Sequence, residues 1–243
     1  MAYCIIIPNY NHTLVIDSLI SKLGRFNLPV IMVNDGSDKK HDDFFNSLLP
    51  KYDYLSVISH DENQGKGAAM QTGLLLAQKL GYSHALQIDA DGQHNVDDVL
   101  HMVAELKSHP DALISGQPIY DESVPKHRFY GRYLTHIWVW IETLSFSIKD
   151  SMCGFRVYPV DKTIALIDKG RVGKRMDFDT EVMVKLYWQN VEVRFLPTRV
   201  DYPEHGVSHF RPLADNLLIS WMHTRLFFNM LLRMPVLLYR KCT

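Results

Sequence analysis

Short apolar runs recur along the first half of the chain, with room for one helix between each pair, and this alternation sets the fold class. The strand-like runs are 3–7, 29–33, 55–59, 84–88 and 112–115; helix-like runs fill 13–25, 41–50, 66–80 and 96–108. Parallel strands need a long crossover, usually a helix, so the series predicts βαβ units around a mostly parallel sheet. Sheets of this kind take ligands beyond the carboxyl ends of their strands. Those ends read PNYNH (8–12), NDGSD (34–38), HDENQGKG (60–67) and DADGQH (89–94). One polar loop means little. Four on one edge, rich in Gly and Asp, indicate a site.

The second half is less regular. Residues 116–128 read as a loop and 129–148 as an aromatic-rich helix, followed by KDSMCGFRVYP (149–159). A helix near 160–168, a basic loop DKGRVGKRMDFD (168–179), a helix near 180–189, a strand near 191–196 and a loop DYPEHGVSHFR (201–211) complete it. No repeat, low-complexity tract or linker divides the chain. It reads as one α/β domain over 1–211 with a C-terminal amphipathic helical extension over 212–243.

A net charge of −1 gives no field that favours nucleic acid. Cys4, Cys153 and Cys242 are scattered without a CxxC, which argues against a disulfide framework or zinc knuckle and fits a reducing compartment. The start, AYCIII, enters a strand without a basic n-region or cleavage site, so no signal peptide is expected. A bilayer span needs about 20 mostly apolar residues with few charges. The stretch 129–148 carries Arg132 and Glu142, and 213–239 carries Asp215, Arg225, Arg233 and Pro235. The first reads as a helix packed on the core. The second reads equally as a core helix or as one lying in a membrane interface.

Two motifs carry chemistry. ENQGKGAAMQTG places a Gly-rich turn at the start of a helix, an anion-binding geometry. It is not a Walker loop, because Gly67 follows Lys66 and His60 stands where the first Gly belongs. It is not a dinucleotide fingerprint either, since Met70 breaks the pattern of Gly65 and Gly67. A tight turn with Lys66 aimed at an anion remains. The second motif is Asp89-Ala90-Asp91. Carboxylates two residues apart in extended backbone point the same way and can face one hard cation.

In order, IIIPNYN, VNDGSD, ENQGKGAAMQTG, DADGQH, CGFRVYP and DFDTEVMVK resemble the inverting glycosyltransferase family 2, and the resemblance spans about residues 4–211. The branch it most resembles is the polyprenol- or dolichol-phosphate sugar synthases. The resemblance implies a GT-A fold and transfer of a single sugar from a nucleoside-diphosphate sugar. The acceptor it implies is lipid-linked, such as a polyprenyl phosphate; a soluble or non-phosphate lipid acceptor is the alternative. It implies donor contacts from Pro8, Tyr10, Asn11, Asp35 (to the base), Lys66, Gly67, Asp89 and Asp91. It further implies Mg2+ or Mn2+ on Asp89 and Asp91, with Gln93 as a further ligand. On the acceptor side, Asp179 or Glu181 of DFDTE could serve as base, although acids at a helix N-terminus are also favoured by the helix dipole. A lipid phosphate is already ionised and needs no base; Arg156 and Arg175 would then hold phosphates. Arg171, Lys174 and Arg175 could equally form a solvated face. His205 and His209 belong to a donor-closing loop, where His209 stands at a position usually held by Lys.

The Q-x-x-R-W of processive synthases is absent, so polymer synthesis is not expected. Paired hydrophobic spans are absent too. A cytoplasmic enzyme is expected, either soluble or peripheral on the cytoplasmic membrane face through 213–239. Two other classes compete. A nucleotidyltransferase would carry a Gly-rich, basic loop after its first strand, and IIIPNYNH has neither Gly nor Arg. An inactive nucleotide-sugar-binding protein would not need the metal and nucleotide positions, all of which are intact.

Overall fold

The computed structural model describes residues 1–119, 126–170, 172–200 and 210–242. The predicted alternation is present as β1 (Tyr3–Asn9), α1 (Ile16–Leu23), β2 (Val30–Asn34), α2 (Asp42–Leu48), β3 (Leu55–Ser59), α3 (Lys66–Lys79), β4 (His84–Gln87), α4 (Asp98–Ser108) and β5 (Leu113–Ile119). Then come α5 (Lys126–Thr143), β6 (Arg156–Pro159), α6 (Val160–Asp168), α7 (Phe178–Trp188), β7 (Val193–Arg199) and α8 (Pro212–Cys242). The strands form one sheet in the order β3-β2-β1-β4-β6-β5-β7. Ile5 of β1 sits between Val30 of β2 and Leu86 of β4, both parallel to it. Only β6 runs antiparallel to its neighbours β4 and β5 among these strands.

Both faces of the sheet are covered, which is why its strands are apolar throughout rather than alternating. The side-chain alternation instead sorts residues between two cores. Ile5 and Ile7 join α1 and α4 on one face, through Ile16, Ile20 and Met102. Cys4 and Ile6 join α3, α6 and α7 on the other, through Leu74, Ile164 and Val182. α8 shares this second core through Met222, Leu226 and Met230. A buried pair, Glu142 and His223 at 2.7 Å, ties α5 to α8.

The structure departs from the sequence reading in the second half. Residues 156–159 form a strand inside a segment read only as a motif, and 116–119 extend β5 into a stretch read as loop. Cys4 and Cys153 are free thiols, pushed up to about 12 by burial. No helix among the described residues is long and apolar enough to cross a membrane.

Candidate active site

Three carboxylates and one ammonium meet at the carboxyl edge of the sheet. Asp89 follows β4, and Asp179 lies in the first turn of α7. Lys66, the first residue of α3, bridges them: its Nζ lies 3.0 Å from the Asp89 carboxylate and 2.8 Å from Asp179 Oδ2. A hydrogen-bonded ring closes behind this bridge. Gln87 Nε2 donates to Asp89 Oδ1 at 3.1 Å, and the Tyr158 hydroxyl lies 2.9 Å from Gln87 Oε1 and 3.3 Å from Asp179 Oδ1. Burial opposes the ionised form of Asp89, but Lys66, His94 and Gln87 together outweigh it and hold the carboxyl below its ordinary range. Burial likewise opposes the ammonium, and Asp179 and Asp89 together raise its pKa.

Asp91 is different. Burial and the neighbouring Asp89 both raise its pKa. Its oxygen accepts the Gln93 backbone N–H at 3.1 Å, and no cationic side chain pairs with it among the described residues. A partly buried carboxylate beside a second one is a poor arrangement unless a cation joins it. The donors are all oxygen, which suits Mg2+ or Mn2+. No cluster of three or more His, Cys, Asp or Glu with metal-holding geometry occurs among the described residues, so any cation here draws its remaining ligands from elsewhere. His94 stands close by, its Nε2 3.8 Å from Asp89 and its ring stacked on Phe155 at 5.2 Å.

The glycines follow from packing. Gly65 adopts φ +106°, and the 173–175 segment lies directly on it and on Gly67. Ala68 N–H donates to the Lys174 carbonyl at 2.8 Å, and Gln71 Nε2 donates to that of Gly173 at 3.0 Å. Arg175 lies over the same turn and donates to Asn63 Oδ1 at 3.2 Å. A Cβ on Gly154 would overlap the Asp89 carboxylate. Gly154 therefore makes room for the acid. An isolated Gly against a strand is the signal that could have found it; the sequence reading took only the Arg from CGFR. Gln87, polar inside an apolar strand, was the other overlooked signal.

The remaining predicted residues fall into three groups. Pro8 is buried in β1, with Tyr10 and Asn11 beyond it at the edge. Asn11 joins two of the loops: its N–H donates to Ser37 Oγ and its Oδ1 accepts from Asp38 N–H, both at 2.9 Å. Asp35, Arg156 and Glu181 each have a structural task in the fold. Asp35 accepts Gln64 N–H, Gly65 N–H and Asn63 Nδ2 at 2.8–3.0 Å and pairs with His60 Nδ1 at 2.7 Å. Through those four contacts it shapes the 60–65 turn. Arg156 is wholly buried and donates to the carbonyls of Ser151 and Asp179, which leaves it out of reach of a phosphate. Glu181 is also wholly buried. It accepts Gly173 N–H at 2.7 Å and pairs with Lys185 and Arg225, on the side of α7 away from Asp89. Two residues along a helix is about 200° of rotation, so Asp179 and Glu181 cannot share one site. His205 and His209 lie outside the described residues.

The sequence model of Glycosyl transferase family 2 matches residues 4–170. A dolichyl-phosphate beta-glucosyltransferase, ALG5C of Trichomonas vaginalis, is 26% identical over 85% of this chain. The chain spans 65% of that protein and 51% of a second Trichomonas relative, ALG5D. A UDP-N-acetylglucosamine–dolichyl-phosphate N-acetylglucosaminyltransferase of Methanococcus voltae is 22% identical, with 94% of each chain covered. Among solved structures, glucosyl-3-phosphoglycerate synthase of Mycobacterium tuberculosis, crystallised with Mn2+ and UDP-glucose, superposes with a TM-score of 0.67. It shares 13% identity, with 96% of this chain and 78% of that one covered. A Pyrobaculum calidifontis mannosyltransferase, crystallised with GDP-mannose and Mn2+, gives 0.58 at 16% identity, covering 84% and 58% of the two chains. At such identities the likeness shows the fold alone, and that fold is of the GT-A type. With the motifs standing in order along one edge of that sheet and the family's model covering more than half its length, the chain belongs to glycosyl transferase family 2.

Proposed function

We propose that this glycosyltransferase moves one sugar, with inversion, from a nucleoside-diphosphate sugar to a lipid-linked phosphate at a membrane's cytoplasmic face. The observation that carries the reading is the meeting of Asp89, Asp91, Lys66 and Asp179 at the ligand edge of the sheet. Asp89 and Asp91, with Gln93, would hold Mg2+ or Mn2+, whose Lewis acidity would stabilise the departing nucleoside diphosphate. Tyr10 and Asn11 stand where the nucleotide would lie. Arg175, which lies beside the Gly65 turn and donates to Asn63, would hold a phosphate.

Asp179 is the acid on the acceptor side. Its carboxylate is already engaged by Lys66 and Tyr158, which suits orienting a nucleophile better than removing a proton. A phosphate acceptor fits that arrangement, because its attacking oxygen is ionised at neutral pH and needs no general base. The Trichomonas and Methanococcus relatives, both dolichyl-phosphate sugar transferases by name, support the same acceptor class. An alcohol acceptor would ask Asp179 to take a proton.

The test is transfer of label from a panel of nucleoside-diphosphate sugars to either a polyprenyl phosphate or the matching polyprenol. Label passing to the phosphate with inverted anomeric configuration is expected. Label passing to the alcohol, or only to water, would reject the acceptor assignment.

A further inference from the structure

α8 is apolar on two opposite faces, and the fold covers only one of them. Met222, Leu226, Met230 and Leu237 are buried against the domain. Leu213, Leu217, Trp221, Phe228, Leu232 and Tyr239 recur at helical spacing on the outward side, each 61% exposed or more. From Leu231 to Val236 every residue is exposed. A helix that is apolar all round belongs in a core or against lipid. The stripe runs the length of a helix of 31 residues, about 46 Å.

The exposed face does not stop at α8. Trp138 of α5 meets Phe227 edge-on at 6.2 Å, and Phe227 meets the exposed Phe228 at 5.7 Å. Leu134, Ile137 and Ile141 continue the exposure on α5. The helix packs on the core through Val139, as the sequence reading expected, and keeps this outer side exposed.

Charge decides what covers this face. α8 holds Arg225, Arg233, Arg240 and Lys241, with Arg211 just before it; its one acid, Asp215, is buried and paired with Arg211. The whole chain carries a net charge of −1, so the basic bias is local. Arg211 and Arg225 are answered by Asp215 and Glu181, which leaves Arg233, Arg240 and Lys241 at the C-terminal end of the helix without an acid, and a second copy of that end would set cation against cation. Leu and aromatic side chains flanked by basic ones match the apolar boundary and anionic headgroups of a bilayer surface.

We infer that α8 and the outer side of α5 dock on an anionic membrane surface, with α8 lying along the interface rather than crossing it. The inference stands on this exposed face and not on sugar transfer.

The test is co-sedimentation of the full chain with vesicles that contain no polyprenyl phosphate and no donor, so the outcome is independent of the acceptor reading. With about one-third phosphatidylglycerol in phosphatidylcholine at low salt, the protein is expected to pellet. Binding should fall about tenfold or more in pure phosphatidylcholine or at high salt. Leu217→Glu/Leu232→Glu should lose binding to a similar degree, with circular dichroism and donor hydrolysis unchanged, because both side chains face solvent. A wild-type protein left in the supernatant with every vesicle would overturn the inference, as would a double variant that still pellets. A lipid-free dimer in analytical ultracentrifugation, dissolved by the same double variant, would assign the face to self-association instead.

Discussion

Lys66 is the residue on which the site turns. It holds Asp89 and Asp179, acids from opposite sides of the cleft, to one point. The roles of Asp179 and Glu181 separate cleanly by mutation. Asp179→Asn should lower kcat about a hundredfold, as expected for a group that acts on charge in the site, at a stability cost of about 1–3 kcal/mol, since Lys66 keeps Asp89 as a partner. Glu181→Gln should leave transfer per folded molecule within about threefold. It should cost roughly 3 kcal/mol of stability by weakening a buried ion pair. Paired urea denaturation and steady-state assays check both, and a well-folded Glu181→Gln without activity would reverse the assignment. Gly154→Ala is the second test at this scale. Its Cβ overlaps the Asp89 carboxylate. The variant should stay folded, at a cost of about 1–3 kcal/mol, yet lose any Mn2+ response in nucleotide binding; a retained response would show that Asp89 has room to move.

Among the elements, the join between α5 and the 150–153 turn carries a charge that pH can probe. Asp150 is buried, accepts both arms of Arg132 at 2.7 and 2.9 Å, and takes the N–H groups of Met152 and Cys153. Burial would raise its pKa, but His136 and Arg132 outweigh that and hold it below the ordinary carboxylate range. A lowered folded pKa stabilises above the unfolded value of about 3.9 and is lost as pH falls below it. Asp150→Asn should therefore cost about 3–5 kcal/mol at pH 7, and the gap to wild type should narrow as pH falls below about 4. Urea denaturation across that range measures it, and a gap constant with pH would contradict the assignment. The first four strands were legible because each is a short apolar run closed by a polar loop. β6 was not: RVYP is four residues long, ends in Pro, and earns its place by pairing antiparallel between β4 and β5, a neighbourhood that no local pattern shows.

For the whole molecule, the ligand edge was legible and the tasks of individual residues were not. The four loops that gather there are consecutive strand ends, which follow from the alternation alone. Whether an Arg or Glu faces the cleft depends on how a helix is rotated and buried, and nine of the eleven residues of α7 are buried, so its sequence shows no preferred face. The burial of Glu181 was not legible for that reason, that of Arg156 because it lies in β6, whose neighbours no local pattern shows, and the turn-forming contacts of Asp35 because its partners come from a loop about 25–30 residues later in the chain. The account's central claim is that Asp89 and Asp91 form a cation site shared with the donor. Calorimetric titration of UDP and GDP, with and without Mn2+, into the wild type and Asp91→Asn tests it most directly. Mn2+ should tighten binding of at least one nucleotide about tenfold or more in the wild type and have no effect in a folded Asp91→Asn. Equal affinities with and without Mn2+ in the wild type, or an undiminished Mn2+ effect in the variant, would contradict it.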